Sequence, residues 1–202
     1  MSTNFQLNKF TGVGLVLLFL LATLGCDNSP SVTYDTIIRG GTIYDGSGAT
    51  PYRADIALKS QRIAAIGDLG GASGRIEIDA TGKAVSPGFI NMIGWGVTSL
   101  IKDGRGISDI SQGITLEVFG EGNSMGPLSP SMREEFPKYW DQISPSWTSL
   151  GEYLEFLEDR GVSSNVASFI GATTARIHVL GRDDVKASPS QLEEMQALVR
   201  GA

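Results

Sequence analysis

Short runs of alternating hydrophobic and polar residues fill the chain between residues 33 and 84. A period of two is typical of strands that bury one face. Gly40-Gly41 lies between β-branched runs and indicates a hairpin turn, and further turns are indicated at residues 45–48 and at Ser60-Gln61. Strands that are so short and evenly spaced predict a small antiparallel β-sandwich. The predicted strands span residues 35–39, 42–44, 54–59, 62–67 and 75–79.

Strands and helices alternate after residue 84. Apolar runs predict three strands, the first of them buried on both faces, at residues 84–92, 114–119 and 165–170. Apolar residues at helical spacing predict three helices, a weak one at 103–112, one after the capping box Ser149–Glu152 that ends at Gly161, and one that starts at Ser188-Pro189.

Strand–helix alternation favours a parallel sheet and an α/β fold class. We expect residues 85–202 to form the first three βα units of a (β/α)8 TIM-like barrel, preceded by the β-sandwich module of residues 33–84. Because such a barrel needs eight units, three cannot close it. The expected barrel is therefore truncated at Ala202, with an unpaired sheet edge.

An uncharged apolar run at residues 12–25 precedes Cys26, the only cysteine. The run is shorter than the ~20 residues that cross a bilayer, and it is typical of a secretory signal peptide. It resembles a bacterial lipoprotein signal, which implies a signal peptide at 1–25, lipidation of Cys26 and a tether at 26–32. A plain secretory signal and an uncleaved anchor are the alternatives. We expect an exported protein of the bacterial cell envelope, held at the membrane through a lipid.

Charge and composition exclude one class of partner. The 202 residues carry a net charge of −6, and no basic run is present to contact phosphates. Nucleic-acid binding is therefore not expected. Hydrophobic residues make up 41% of the chain, which is typical of a globular protein.

A resemblance to a known family is spread along the chain. It rests on YDTIIRGGTIYDGSG, RADIALKSQRIAAIG, IDATGKAVSPGFIN, DISQGITLEVFGEG, YLEFLEDRGVSSNVASFIGATTARIHVLG and GRDDVKASPSQLEEMQALVR. In order and spacing these segments resemble the N-terminal portion of the amidohydrolase superfamily, of the N-acyl-D-amino-acid deacylase (D-aminoacylase) type. The resemblance implies an eight-unit barrel beside a β-sandwich. It also implies zinc that activates water to hydrolyse an amide bond.

The segment SPGFINMIGWG departs from the family pattern at its metal ligands. The family enters its first barrel strand with Pro-Gly-Phe-Ile-Asp and a His-x-His pair. Here Asn91 replaces the acid, and Ile93 and Trp95 occupy the histidine positions. An alkyl group has no lone pair and an indole N–H only donates, so neither side chain can bind zinc. A two-metal site is therefore not expected.

Glu121 is the candidate metal ligand. The family places a cysteine ligand in a Gly-Asn-Cys-Gly turn after its second strand, and this chain has Glu121 within one position of that cysteine. The resemblance implies that its carboxylate could serve as a ligand. A solvated loop acid is the alternative.

Arg176 is the candidate substrate-binding residue. Ala172 stands where the family often has a histidine before a Thr-x-Arg stretch, and Arg176 ends that stretch. It could orient a substrate carboxylate or pair with an acid for structural reasons. His178, the only histidine, lies in an alternating run and is expected to be packed or at the surface rather than a ligand. No catalytic residue is assigned.

Three functions remain open. The first is an exported metal-dependent hydrolase of non-peptide C–N bonds in N-acyl amino acids, present as an N-terminal fragment that is inactive alone. The second is a non-catalytic binding lipoprotein with the same fold. The third is a truncated product without independent function.

Overall fold

A computed structural model describes residues 33–202. The predicted signal peptide (1–25), the tether (26–32) and Cys26 lie outside the described residues. The chain divides into two compact units, one up to Ser86 and one from Pro87–Ala202. Among the described residues, no helix is sufficiently long and apolar to cross a membrane.

The first unit is one five-stranded sheet. Its central order is β3-β2-β1-β4, and β5 pairs with the last residues of β1. The β1–β2 and β2–β3 pairs are antiparallel, whereas β4 and β5 both run parallel to β1. The strands are β1 (Thr33–Ile43), β2 (Tyr52–Lys59), β3 (Arg62–Gly67), β4 (Ser73–Asp79) and β5 (Ala84–Val85).

The prediction that this module is antiparallel is wrong, because β4 and β5 run parallel to β1, whereas the sandwich stays a prediction. The strand pattern identified strands but not their directions, and β4 runs parallel to β1 because residues 68–72 carry the chain back along the sheet. Residues 33–86 form a single mixed sheet. Ile37, Ile43 and Ile56 are buried, whereas Ile63 and Ile76 are exposed.

The predicted turn at Ser60-Gln61 is confirmed, whereas the one at Gly40-Gly41 is not. Ser60 and Gln61 both have positive φ, 49° and 63°, and join β2 to β3 as a two-residue hairpin. Gly40-Gly41 is instead a bulge inside β1, where the register shifts between Ile38 and Gly41. Gly40 has φ 65°, and a Cβ on Gly41 would lie 2.5 Å from the Val85 side chain. The close approach of β5 therefore requires glycine at position 41.

The second unit is a three-stranded parallel sheet in the order β6-β7-β8, combined with helices. Its strands are β6 (Phe89–Asn91), β7 (Ile114–Phe119) and β8 (Asn165–Ser168). Its helices are α1 (Ser99–Lys102), α2 (Ile107–Ile110), α3 (Pro130–Tyr139), α4 (Leu150–Arg160), α5 (Ala172–Leu180) and α6 (Pro189–Arg200). The α/β fold class is confirmed at this level.

The strand bounds and helix ends that the sequence predicts in this unit are largely confirmed. β7 has the predicted bounds, α4 begins at the Ser149–Glu152 capping box, and Gly161 ends it with φ 75°. A second capping box at Ser188 begins α6. Each box satisfies N–H groups that a helix leaves without partners at its start.

The predicted buried strand at 84–92 is wrong. Two short strands, β5 and β6, replace it, with Pro87 between them. Phe89 is 60% exposed and Ile90 57% exposed, because β6 is an edge strand of the described sheet.

The core of the second unit lies between the sheet and α4. Tyr153 and Leu157 of α4 are buried against Phe119 of β7, and Trp147 packs edge-on against Phe136 of α3. The Trp147 indole Nε1 donates to the Met125 carbonyl oxygen at 2.7 Å. This core holds the segments that follow β7 and β8.

Candidate functional site

The segments that follow β7 and β8 are closely joined at the carboxyl edge of the parallel sheet. The Phe169 amide donates to the Phe119 carbonyl at 2.9 Å, and the Thr173 amide donates to the Gly122 carbonyl at 2.9 Å. A Cβ on Gly171 would lie 2.5 Å from the Gly122 carbonyl oxygen. Ligands of open α/β sheets bind at this edge, so it is the candidate site.

Ser124 and Thr174 hold the two segments together. The Ser124 amide donates to Thr174 Oγ1 at 2.8 Å, and Thr174 Oγ1 contacts the Ser124 carbonyl at 3.2 Å. The Ser124 hydroxyl accepts the Gly171 amide at 3.0 Å and donates to the Gly126 carbonyl at 2.5 Å. Both side chains are buried, and each has its partners in this network.

Glu121 lies exposed in the segment after β7. Its own carbonyl accepts the Asn123 amide at 3.0 Å, which makes a tight turn at the end of the strand. The place agrees with the expectation that Glu121 follows a barrel-type strand; its role as a ligand stays a prediction.

The residues after β6 present apolar surface at the same edge. Ile93 is 59% exposed and Trp95 is 58% exposed. The Asn91 side-chain oxygen accepts the Ile93 amide at 3.3 Å. Within residues 33–202, no group of three or more His, Cys, Asp or Glu residues could hold a metal ion. The described residues therefore do not fit a metal site by themselves.

Arg176 and His178 both lie on α5, a helix that the sequence pattern did not predict. Arg176 Nη2 donates to the carbonyls of Asp183 and Val185 at 3.1 and 2.8 Å. These contacts support the structural alternative for Arg176, and its substrate-binding role stays a prediction. His178 Nδ1 lies 3.3 Å from the Pro127 carbonyl, in agreement with a packed histidine.

Glu117 is a buried acid that the sequence reasoning did not single out. It is 2% exposed in the middle of β7, and its Oε1 accepts a hydrogen bond from Ser164 Oγ at 3.2 Å. Burial raises the pKa of Glu117, the charge of Asp109 raises this pKa further, and the Ser164 hydrogen bond lowers it. A charged residue inside the apolar run ITLEVF was the available signal.

Glu117 lies under the 92–97 segment, which carries Ile93 and Trp95. A Cβ on Gly94 or Gly96 would lie 3.2 or 3.0 Å from Glu117 Oε2, so the two glycines leave room for the carboxylate. The Gly94 amide donates to the Val118 carbonyl at 2.9 Å. Tyr153 Oη donates to the Val97 carbonyl at 3.1 Å. Buried polar groups thus support the segment from below.

Known proteins that are similar to this chain include deacylases of N-acyl-D-amino acids. No protein-family model matches the chain. The chain is 33% identical over 178 residues to an N-acyl-D-aspartate deacylase of Alcaligenes xylosoxydans xylosoxydans, covering 86% of this chain and 35% of that protein.

Two solved structures share the fold. A D-aminoacylase with a binuclear metal centre gives a TM-score of 0.70 at 34% identity, over 82% of this chain and 35% of that one. An N-acyl-D-glutamate deacylase from Bordetella bronchiseptica, complexed with zinc and a phosphonate that mimics the tetrahedral intermediate, gives 0.73 at 30% identity. That match covers 84% of this chain and 36% of the other. The chain spans about a third of the length of these relatives.

Proposed function

Because the chain is homologous to the N-terminal portion of the N-acyl-D-amino-acid deacylases, of the amidohydrolase type, we propose that it belongs to a hydrolase of N-acyl-D-amino acids. The bond broken is a non-peptide amide C–N bond. The observation that carries the proposal is the TM-score of 0.73 with the deacylase that binds a mimic of the tetrahedral intermediate.

The proposal assigns the activity to a longer protein. We infer that β6, β7 and β8 are the first three strands of a (β/α)8 barrel and that the first unit is part of a β-sandwich. The support is that the relatives are about three times as long as the match. The 202 residues are then an N-terminal part, expected to be inactive alone.

Zinc enters this proposal through the relatives and not through a site in this chain. Glu121 is the one proposed ligand, at the carboxyl edge of the sheet where barrel enzymes keep their sites. Ile93 and Trp95 offer no lone pair to a metal ion, so the described residues do not fit the binuclear centre.

A stereochemical assay tests the proposed reaction. The longest natural form containing these residues is incubated with N-acetyl-D-glutamate, N-acetyl-D-aspartate and their L-enantiomers, and the free amine is measured. We expect release from a D-substrate only, with zinc in the purified protein. A matched Glu121→Gln variant should lose metal and activity, whereas Glu155→Gln, an exposed acid on α4, should keep both. Equal hydrolysis of the L-substrates would contradict the assignment.

A non-catalytic binding lipoprotein is the second candidate. It is favoured by Ile93 and Trp95 at the carboxyl end of β6 and by the lack of a three-residue metal group among residues 33–202. The same protein would then bind N-acyl-D-amino acids without releasing amine. Calorimetry beside the amine assay separates the two candidates.

We also propose export and lipid anchoring at Cys26. The support is the apolar run that ends at this residue. Cys26→Ser should prevent incorporation of labelled palmitate and release the protein from the membrane fraction of its bacterial host. Unchanged labelling of the variant would refute lipidation of Cys26.

A further inference from the structure

A small cavity of about 180 Å³ lies beside the segment that follows β7. It is open to solvent on one side and lined by that segment, by α3, by α5 and by Arg182 just after α5. The lining surface is polar and apolar in about equal parts, and its apolar part includes Leu128, Met132, Phe136 and Ile177. The volume is below the ~300–1,000 Å³ of pockets for drug-sized ligands, so the cavity suits a small molecule.

Arg182 is the only charged residue that lines this cavity. Its Nε donates to Glu135 Oε2 at 3.0 Å, and its guanidinium carbon lies 3.9 Å from the centre of the Tyr139 ring. A guanidinium has five N–H donors. In the part of the chain that the structure describes, the other four donors of Arg182 make no hydrogen bond. The ion pair and the ring therefore orient the group and leave its fork of donors available.

Asn123 supplies the second polar group. Its side chain lines the cavity and makes no hydrogen bond to any residue in the range 33–202, whereas the neighbouring Ser124 and Thr174 have each other as partners. The cavity thus combines the N–H donors of Arg182 that make no hydrogen bond, the Asn123 side-chain amide and an apolar wall. Binding sites of small molecules likewise combine apolar surface with a few polar groups that fix orientation.

We propose that this Arg182 cavity binds a small monocarboxylate with a compact apolar or aromatic body. The planar guanidinium matches a carboxylate in two parallel hydrogen bonds. Arg182 already pairs with Glu135 and is the one cation of the lining, so the site accommodates at most one further negative charge, which disfavours a phosphate dianion. The apolar wall takes the body of the ligand. The site is independent of the proposed hydrolase activity.

Binding of benzoate to the full chain tests the proposal. Trp140 lines the cavity, so tryptophan fluorescence reports occupancy, with calorimetry as the second measurement. We expect a Kd on the order of 1 mM, which is ordinary for so small a ligand. Benzyl alcohol, benzylamine and inorganic phosphate should bind at least ~10-fold more weakly, because each lacks the charge or the apolar body.

Four variants sharpen the test. Arg182→Gln should weaken benzoate at least ~10-fold, and Arg182→Lys should fall between Gln and wild type, since it keeps the charge without the fork. Lys186→Gln removes an exposed charge that lies outside the lining and should change the affinity less than ~2-fold. Ile177→Phe should fill the cavity and abolish binding. Circular dichroism checks that each variant is folded.

Several outcomes would overturn the site. They are benzoate binding that survives Arg182→Gln in a folded protein, benzyl alcohol or phosphate that binds as well as benzoate, and no benzoate binding by the wild type at tens of millimolar.

Discussion

Two polar clusters, one in each unit, hold carboxylates in opposite environments. The Arg39 cluster consists of Arg39, Asp55 and Glu77 on the first sheet, where Arg39 lies 3.1 Å from Asp55 and 3.0 Å from Glu77. The Glu117 cluster consists of Glu117, Ser164 and Tyr153 in the second unit. The first is partly solvated and contains a cation, whereas the second is buried.

The pKa values move in opposite directions for this reason. The Gly40 amide and then Arg39 lower the pKa of Asp55, and the Arg39 hydrogen bond lowers the pKa of Glu77. Burial raises the pKa of Glu117, and burial followed by the charge of Glu117 raises the pKa of Tyr153. At the same pH, the ionised carboxylates of Asp55 and Glu77 therefore stabilise the first unit, whereas an ionised Glu117 destabilises the second.

The two units can be followed separately. All three tryptophans, Trp95, Trp140 and Trp147, lie in the second unit. Tryptophan fluorescence thus reports unfolding of the second unit, and hydrogen exchange of the β1 and β2 amides reports the first.

The largest effect is expected for Tyr153→Ala. The side chain is fully buried against Trp147, and its removal should lower the free energy of unfolding of the second unit by about 3–5 kcal/mol. Tyr153→Phe is the matched control and should cost only about 1 kcal/mol, because it removes just the hydrogen bond to the Val97 carbonyl. Denaturant unfolding followed by fluorescence measures both, and equal losses would contradict the packing argument.

Glu117→Gln should stabilise the second unit at pH 7, by roughly 1–3 kcal/mol, because it removes a buried charge and keeps the acceptor for Ser164. Because the pKa of Glu117 is raised in the folded state, protonation of this acid favours folding. The stability gained from protonation falls as pH rises from about 4, the ordinary range of glutamate, through the folded-state pKa. The gap between variant and wild type should therefore close as pH falls to about 4. A variant that is less stable at pH 7 would indicate that the charge has a stabilising partner.

Asp55→Asn should have the smallest effect and the opposite pH dependence. Asn keeps an acceptor for the Gly40 amide, 2.8 Å away, but loses the ion pair with Arg39, so we expect a loss under about 1 kcal/mol at pH 7. Because the pKa of Asp55 is lowered in the folded state, the greater stability of the wild type over the variant is present at neutral pH. It disappears as pH falls through the folded-state pKa. Hydrogen exchange of β1 and β2 as a function of pH measures it. An advantage that grows in acid would refute the pairing.

Helices that the sequence pattern missed show where local reading failed. α3 contains Pro137 and has a polar sequence, so it resembles a loop. α5 begins at Gly171 without a side-chain cap and includes β-branched residues, so it resembles a strand. Packing of α3 through Phe136, and the hydrogen bonds between residues 122–124 and 171–174, compensate for the weak local signals.

The candidate site was predicted only in part. The place of Glu121 after β7 follows from an apolar run that ends at Gly120, whereas its candidacy as a ligand follows only from the family resemblance. Glu117 was not identified, because its burial depends on Ser164 and on the glycines at 94 and 96. The sequence did not predict the Arg182 cavity either, because Asn123 and Arg182 are 59 positions apart in the chain.

The amino-acid sequence alone predicts β7, the capping box of α4, the start of α6 at Ser188, the Ser60-Gln61 turn and the relationship to the deacylases. These depend on neighbouring residues or on the order of segments along the chain. Only the tertiary structure decided the parallel pairing of β4 with β1, the bulge at Gly40-Gly41, the buried charge of Glu117 and the free donors of Arg182. Each of these results from contacts between distant residues, and such contacts leave no periodic pattern in the chain.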